Sequence, residues 1–343
     1  MKKRTIVVVI AFLLLAAGCG AIWIKKEFRR NEQTPFERYG ILNVEGGKLL
    51  DESGNEVQLR GVSTTHIGWA PEYVCEDTFR TLRDEWKINA VRIVMYTEAF
   101  ETGYCDSDRK EEYKDIVEKG VKAAENLGLY VIIDWHTLTD GDPNIYADEA
   151  EEFFRDMTGR FRDCHHVIYE ICNEPNGDGN WERIKEYAQR IIPVIRNEIP
   201  DSLILVGTPD YSQAVDEAAD DPLAEFENIM YTLHFYAGSF KQPLRDKLLY
   251  ALEKNLPVFI SECNITEALL DGEIDYTEGD RWFELIDDYQ LSYMAFSLCN
   301  SGETLALIRE DCDKISNWEE NDLSEVGNWF KKKFTETWER ENK

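Results

Sequence analysis

Glu174 and Glu262 each follow directly on an apolar, β-rich run. Val167–Ile171 leads into Asn173-Glu174-Pro175, and Val258–Ser261 leads into Glu262. A carboxylate at the end of a buried strand is costly to ionise, so it needs a compensating partner or a task. A satisfied structural glutamate would explain either residue alone. The ends of the neighbouring apolar runs favour a shared task. Val57–Val62 is followed by Thr65, His66 and Trp69, and Ala90–Met95 contains Arg92 and leads to Tyr96. Tyr130–Asp134 runs into Trp135 and His136, and Leu203–Val206 precedes Thr208, Asp210 and Tyr211. Ile229–Leu233 ends at His234 and Tyr236, and Tyr293–Ser297 carries Phe296 with Asn300 beyond it. Three of the 5 histidines, His66, His136 and His234, fall in this one set. Two carboxyls backed by a guanidinium, imidazoles and a phenol can act as one acid and one carboxylate flanking a bond. Glycoside hydrolysis needs that arrangement.

The elements that must position these residues are the eight apolar runs and the helical segments between them. Glu112–Leu127 places Tyr113, Ile116, Val117, Val121 and Ala124 at helical spacing, and Trp181–Ile195 does the same with Ile184, Tyr187, Ile191 and Ile192. Other helices are expected near Glu76–Trp86, Ala147–Phe161, Gln242–Lys254, Asp280–Asp288 and Leu323–Thr337. Eight strands alternating with helices predict an α/β fold, a closed parallel (β/α)8 TIM barrel whose chemistry lies just past the carboxyl ends of the strands. A doubly wound open sheet is the alternative, but Arg60-Gly61-Val62-Ser63 offers one glycine where a phosphate-binding turn wants several. Short strands at Ile41–Val44 and Leu49–Leu50, with a turn over Asp51–Asn55, are expected to close the barrel bottom. No linker or repeat follows residue 36, so residues 31–343 read as one catalytic domain. Plainer roles suit other residues. His165 and His166 precede a strand and read as solvated, and Glu170 as a hydrogen-bonded interior acid. Trp318, Trp329 and Trp338 read as outer packing, and Asp216–Asp221 and Glu319–Asp322 as solvated faces.

The 343 residues include 38 Lys+Arg and 67 Asp+Glu, a formal charge of −29. Such a surface repels phosphate backbones and excludes nucleic acid as a partner, while it permits a neutral polysaccharide. A hydrophobic share of 43% excludes a disordered chain. Residues 1–30 are unlike the rest. Lys2, Lys3 and Arg4 precede the uncharged, apolar run Ile6–Ile24, and Lys25, Lys26, Arg29 and Arg30 follow it. A signal anchor, a lipoprotein signal with Cys19 lipidated after Ala16-Ala17-Gly18, or a cleaved signal peptide are the three readings, and all place the barrel outside the cytoplasm. Membrane contact is expected through this segment alone, and the barrel is expected to be a monomer. Without residues 1–30 the charge is −35. Beyond Cys19 there are seven cysteines, an odd number, with no CxxC pair and no metal-type spacing. Cys172 and Cys263 read as buried thiols, and Cys75–Cys105 as a conceivable disulfide.

Ile168-Tyr169-Glu170-Ile171-Cys172-Asn173-Glu174-Pro175-Asn176 resembles the Asn-Glu-Pro signature of glycoside hydrolase family 5. Val131–Asp140, Asn89–Tyr96 and Leu233–Gly238 resemble segments of bacterial endoglucanases in that family, and Val258–Glu262 resembles its nucleophile strand. The resemblance runs in order from about Gly40 to Thr337. It implies a retaining endo-β-1,4-glucanase. Glu174 would be acid and then base, and Glu262 the nucleophile. Asn173 would hold the sugar 2-hydroxyl, Arg92 and Tyr236 would keep Glu262 ionised and aimed, and His136 and His234 would orient sugar hydroxyls and the acid. Trp69, Tyr96, Tyr211 and Phe296 would be sugar platforms, with His66 and Glu303 as further substrate contacts. Departures from the family pattern fall in the subsites. His66 sits one place beyond the usual histidine, where Thr65 stands. Phe296 and Tyr211 replace tryptophans, and Ser301 replaces a lysine.

The resemblance implies no cofactor and no metal. Mannan, xyloglucan or mixed-linkage glucan are alternative substrates. The altered subsites also fit a carbohydrate-binding protein without activity. A metal-dependent enzyme built on Asp134, Glu174 and Glu262 is disfavoured by Arg92 beside them.

Overall fold

The computed structural model describes residues 33–342 except Leu270. The apolar run Ile6–Ile24, expected to direct export, and Cys19 lie outside the described residues. Eight parallel strands close into a barrel: β3 (Arg60–His66), β4 (Ala90–Tyr96), β5 (Tyr130–His136), β6 (Val167–Glu170), β7 (Ile204–Val206), β8 (Ile229–Tyr236), β9 (Val258–Asn264) and β10 (Tyr293–Leu298). A hairpin of β1 (Asn43–Glu45) and β2 (Lys48–Leu50) precedes them. Its Leu42 and Leu49 pack in one cluster with the inward residues Tyr130, Ile132, Ile168, Leu205, Met230, Phe259 and Met294. The hairpin therefore plugs the barrel bottom, as expected.

The strands read as continuous apolar runs because both faces are buried. Residues at every second position separate to two sides. Val91, Ile93, Met95, Val131, Ile133, Trp135, Tyr231, Leu233 and Phe235 join the large cluster between sheet and helices. The alternate positions face the barrel interior. Register then brings polar interior residues level across neighbours: Tyr96 opposite His136, Asp134 opposite Glu170, and His234 opposite Glu262.

Helices cover the outside at Lys110–Leu127, Ala147–Arg160, Trp181–Glu198, Gln242–Glu253, Tyr276–Tyr289 and Glu325–Glu341, each near its expected place. Glu76–Thr81 continues into a wider π-type turn over Leu82–Trp86. Two expectations need correction. The first barrel strand begins at Arg60 rather than Val57 and runs on to His66. Asp216–Asp221 is not simply a solvated face, because Val215–Asp220 is a short helix that buries Val215, Ala218 and Ala219. Its apolar positions are too few for the sequence periodicity to show.

All seven cysteines among the described residues are free thiols, so no bond joins Cys75 to Cys105. Cys172 and Cys263 are fully buried as expected.

Candidate active site

Arg92 is the centre of the polar interior. Its Nε donates to Glu170 Oε2 at 2.7 Å, and its Nη1 donates to Glu262 Oε2 and Ser63 Oγ, both at 3.2 Å. Nη2 donates to Asn173 Oδ1 at 2.6 Å and lies 3.0 Å from Asp134 Oδ2. The guanidinium is completely buried. Its planar fork can be satisfied there only because five acceptor oxygens converge on it.

A second line of contacts aims Asn173. His136 Nδ1 lies 2.5 Å from Asp134 Oδ2, and the Asn173 amide nitrogen lies 3.2 Å from His136 Nε2. Burial, with Arg92 nearby, pushes the His136 imidazole well below its ordinary range, so the ring is neutral. Nδ1–H donates to the aspartate, and Nε2 accepts from the Asn173 amide. The Ser212 hydroxyl donates to the Asn173 carbonyl at 2.6 Å. Ser212 ends a turn in which Asp210, Tyr211 and Ser212 have φ of 57°, 60° and 56°. That left-handed turn costs backbone strain and carries Tyr211 out to the cleft rim.

A third line reaches Glu174. The Ser261 hydroxyl donates to Glu170 Oε1 at 2.6 Å, so it can only accept from His234 Nε2, 2.8 Å away. Burial pushes the His234 imidazole down to about 4. The ring is therefore neutral, Nε2 holds its proton, and Nδ1 is an acceptor. Glu174 Oε1 lies 2.8 Å from that Nδ1. The hydrogen bond is complete when Glu174 carries the proton. Burial independently pushes the Glu174 carboxyl up to about 8, against the pull of Arg92.

Glu262 differs from Glu174 in its neighbours. Burial and the nearby Glu174 raise its pKa, while His234 and Arg92 draw it back. Tyr236 OH donates to its Oε1 at 2.8 Å, and Arg92 donates to its Oε2. Glu174 has no cation at hydrogen-bond distance among the contacts of its carboxyl. The shared charge of the pair therefore settles on Glu262. An oxygen of Glu174 and one of Glu262 lie within 4.8 Å of each other.

Both carboxyls open into a cleft of about 770 Å³. Trp69, Tyr96, His136, His234, Tyr236, Phe296, Tyr211 and Glu303 line it. Trp69 stays 50% exposed, with its indole nitrogen bonded to Thr102 Oγ1 at 2.9 Å and its ring 5.3 Å from that of Tyr96. Phe296 packs against Val94 and Leu305 in a small cluster that Tyr96 and Tyr236 border.

His66 is the exception. Thr65 lines the cleft and His66 does not. Its Nδ1 accepts from the Tyr96 amide at 3.2 Å, and its Nε2 donates to the Thr102 carbonyl at 3.0 Å. Both nitrogens are used, and the ring is fully buried among Trp69, Tyr96 and Tyr113. The expected substrate contact is a packing residue: its ring turns toward Tyr113 of the helix Lys110–Leu127, while Thr65 takes the cleft side. Sequence reasoning also missed Ser63 and Ser261 as partners of the charged groups, and Phe100 and Leu269 on the cleft rim. Phe100 is 86% exposed on a loop that Asp106 ties through the amides of Ala99, Glu101 and Gly103. No periodic signal marks such a loop.

A closed (β/α)8 barrel whose strand ends bring two carboxyls to within 4.8 Å at their nearest oxygens fits a retaining glycoside hydrolase, whose carboxyl pair stands closer than the roughly 6.5–9.5 Å of an inverting one. The cellulase family, glycosyl hydrolase family 5, matches residues 50–302, and the chain belongs to it. It is an endoglucanase-type glycoside hydrolase. Endoglucanase A of Butyrivibrio fibrisolvens is 48% identical over 295 residues, which cover 85% of this chain and 68% of that protein. Endoglucanase 5 of Pectobacterium carotovorum is 38% identical over 320 residues, 93% of this chain and 62% of that protein. The chain thus spans about two thirds of the length of these relatives. The catalytic domain of Thermobifida fusca endoglucanase, solved in complex with cellotetraose, superimposes with a TM-score of 0.83 at 34% identity, over 88% of this chain and 100% of that one.

Proposed function

We propose that this barrel cuts internal β-1,4 bonds of a glucan by double displacement, with Glu262 as nucleophile and Glu174 as acid and then base. The observation that carries the reading is the different surroundings of the two carboxyls. Glu174 faces the acceptor nitrogen of His234, whereas Glu262 faces Arg92 and a phenol donor. In the first step Glu262 attacks the anomeric carbon while Glu174 gives its proton to the departing glycosidic oxygen. Asn173, held by Arg92 and His136, meets the sugar 2-hydroxyl as charge develops at the anomeric carbon. Once the ester forms, the Glu262 charge is gone and Glu174 is ionised. Its carboxylate then faces the unprotonated His234 Nδ1. That contact favours taking a proton back, so Glu174 is a strong base toward the incoming water. Trp69, Tyr96, Tyr211 and Phe296 offer aromatic faces along the cleft for successive sugars, and the cellotetraose held by the Thermobifida fusca relative supports a β-glucan as the occupant.

Incubation with a 2-fluoro cello-oligosaccharide carrying a good leaving group, followed by peptide mass analysis, tests the assignment. The expected product is one glycosyl ester on Glu262. An ester elsewhere, or turnover by Glu262→Ala equal to wild type on soluble β-glucan, overturns it. A panel of β-glycans with product sizing identifies the preferred chain, and internal cuts in a β-1,4-glucan are expected.

The basic-flanked apolar run Ile6–Ile24 supports action outside the cytoplasm. Fractionation of cells producing the full chain is expected to find it in the membrane or medium, and a cytoplasmic protein would refute this.

A further inference from the structure

At the opposite end of the barrel from the cleft, Cys164 and His166 lie just before β6, and Glu125 lies near the end of the helix Lys110–Leu127. Cys164 and His166 are each only 8% exposed, contrary to the expectation that His166 is solvated, while Glu125 is exposed. One ligand-type atom from each of the three lies within 4.8 Å of the other two. We propose that Glu125, Cys164 and His166 bind one divalent metal ion of the zinc class, joining that helix to the segment that enters β6.

The spacing and chemistry support this site. Cys164 Sγ lies 3.7 Å from His166 Nδ1. Tetrahedral zinc bonds to sulfur and nitrogen would place such a pair about 3.6 Å apart. Thiolate, imidazole and carboxylate together suit a borderline ion better than magnesium or calcium. Phe36 stacks on the imidazole face, with ring centroids 4.2 Å apart at 15°. Stacking fixes the ring and leaves its nitrogens, which point outward in the ring plane, open to an ion. Glu125 is exposed, so the site borders solvent, which can supply a fourth ligand. Cys164 binds as thiolate, so its proton leaves to solvent as the ion enters. The site is far from the bond-cleaving carboxyls and acts on stability.

The test is titration of the metal-free full chain with Co²⁺ alone, reading the thiolate-to-cobalt absorption band, followed by Zn²⁺ displacement and thermal unfolding. Wild type is expected to show one equivalent and an upward shift in Tm. Glu174→Gln should behave the same, which separates this site from the close Glu174, His234 and Glu262 oxygens and nitrogen in the cleft. Cys164→Ser should lose the band, and Glu125→Gln should bind at least about tenfold more weakly. Absence of the band in wild type, or its survival in Cys164→Ser, overturns the proposal. If Cys164→Ser does not fold, the surface variant Glu125→Gln decides, and unchanged affinity there overturns it.

Discussion

His234 Nε2 lies 2.8 Å from a Ser261 hydroxyl that is already committed as a donor to Glu170 Oε1 at 2.6 Å. The serine therefore chooses the tautomer of the histidine, and the histidine chooses where the proton of Glu174 sits. Arg92 anchors the far end of this chain through Glu170. Ser261→Ala removes the choice, because His234 can then place its proton on Nδ1 and favour an ionised Glu174. We expect kcat to fall roughly ten- to a hundredfold, the scale of a small loss of catalytic alignment, with KM little changed. The alkaline limb of the pH profile should move to lower pH, and Ser261→Thr should restore it. A wild-type pH profile in Ser261→Ala would remove the serine from the mechanism.

The pH profile of the wild-type enzyme should be bell-shaped. Its alkaline limb reports loss of the Glu174 proton, with an apparent pKa near the value of about 8 that burial imposes. Its acid limb reports protonation of Glu262. The same shift has a consequence for stability. A group whose folded pKa is raised contributes stability that is complete below its unfolded pKa and is lost as pH rises through the folded one. Glu174 thus weakens the fold progressively between its unperturbed 4.5 and about 8. Glu174→Gln is expected to have a higher Tm than wild type from roughly pH 7 upward, with the advantage gone in acid. Equal Tm values across that range would contradict the raised pKa.

The activity of Glu174→Gln should depend on the leaving group. On glucan the loss should be on the order of 10²–10⁴, the usual worth of a general acid. An aryl glycoside with an acidic phenol needs no protonation to depart, so formation of the glycosyl-enzyme should be far less impaired. Burst kinetics separate this step from hydrolysis. An equal loss of the first step on both substrates would deny Glu174 the acid role.

His66 should matter to folding and leave sugar binding alone. His66→Ala strands the part-buried Tyr96 amide and empties a packed site, so a loss of about 2–4 kcal/mol is expected. Denaturant unfolding measures it. The KM for a soluble glucan should stay at the wild-type value. A raised KM with unchanged stability would return His66 to the substrate contacts.

Trp69 makes the converse case. It is half exposed on the rim and contributes little to the core. Trp69→Ala should leave Tm nearly unchanged and raise KM by about fivefold, the equivalent of about 1 kcal/mol of aromatic contact. Steady-state kinetics on cello-oligosaccharides of increasing length would show the effect only where the sugar reaches that subsite. Equal KM ratios at every length would argue against a discrete platform.

Much of this arrangement is legible along the chain, because parallel barrel strands are apolar on both faces and stop at polar residues with work to do. Asn173-Glu174-Pro175, Asp134-Trp135-His136 and His234 stand out against such runs. The inward parity of Arg92 also follows from counting by twos from its strand neighbours.

The same count fails at Glu262. Phe259 faces the barrel interior and Ile260 the helices, so strict alternation would turn Ser261 inward and Glu262 outward. In the folded barrel both reach the interior. Between Phe259 and Glu262 the partner strand β8 advances only from Thr232 to His234, and between Ile260 and Cys263 the other neighbour β10 advances only from Tyr293 to Ala295. Three residues of β9 thus span what two span on either side. This bulge turns Glu262 toward Arg92 and Tyr236 and leaves Ser261 against His234. The sequence by itself determined the residue types, the strand order and the barrel, because these depend on hydrophobic period and local spacing. The face of β9 that Glu262 occupies, and the approach of Glu125 to Cys164 and His166, emerge only in the folded barrel. Both depend on register between segments far apart in the chain, and a linear pattern carries no such register.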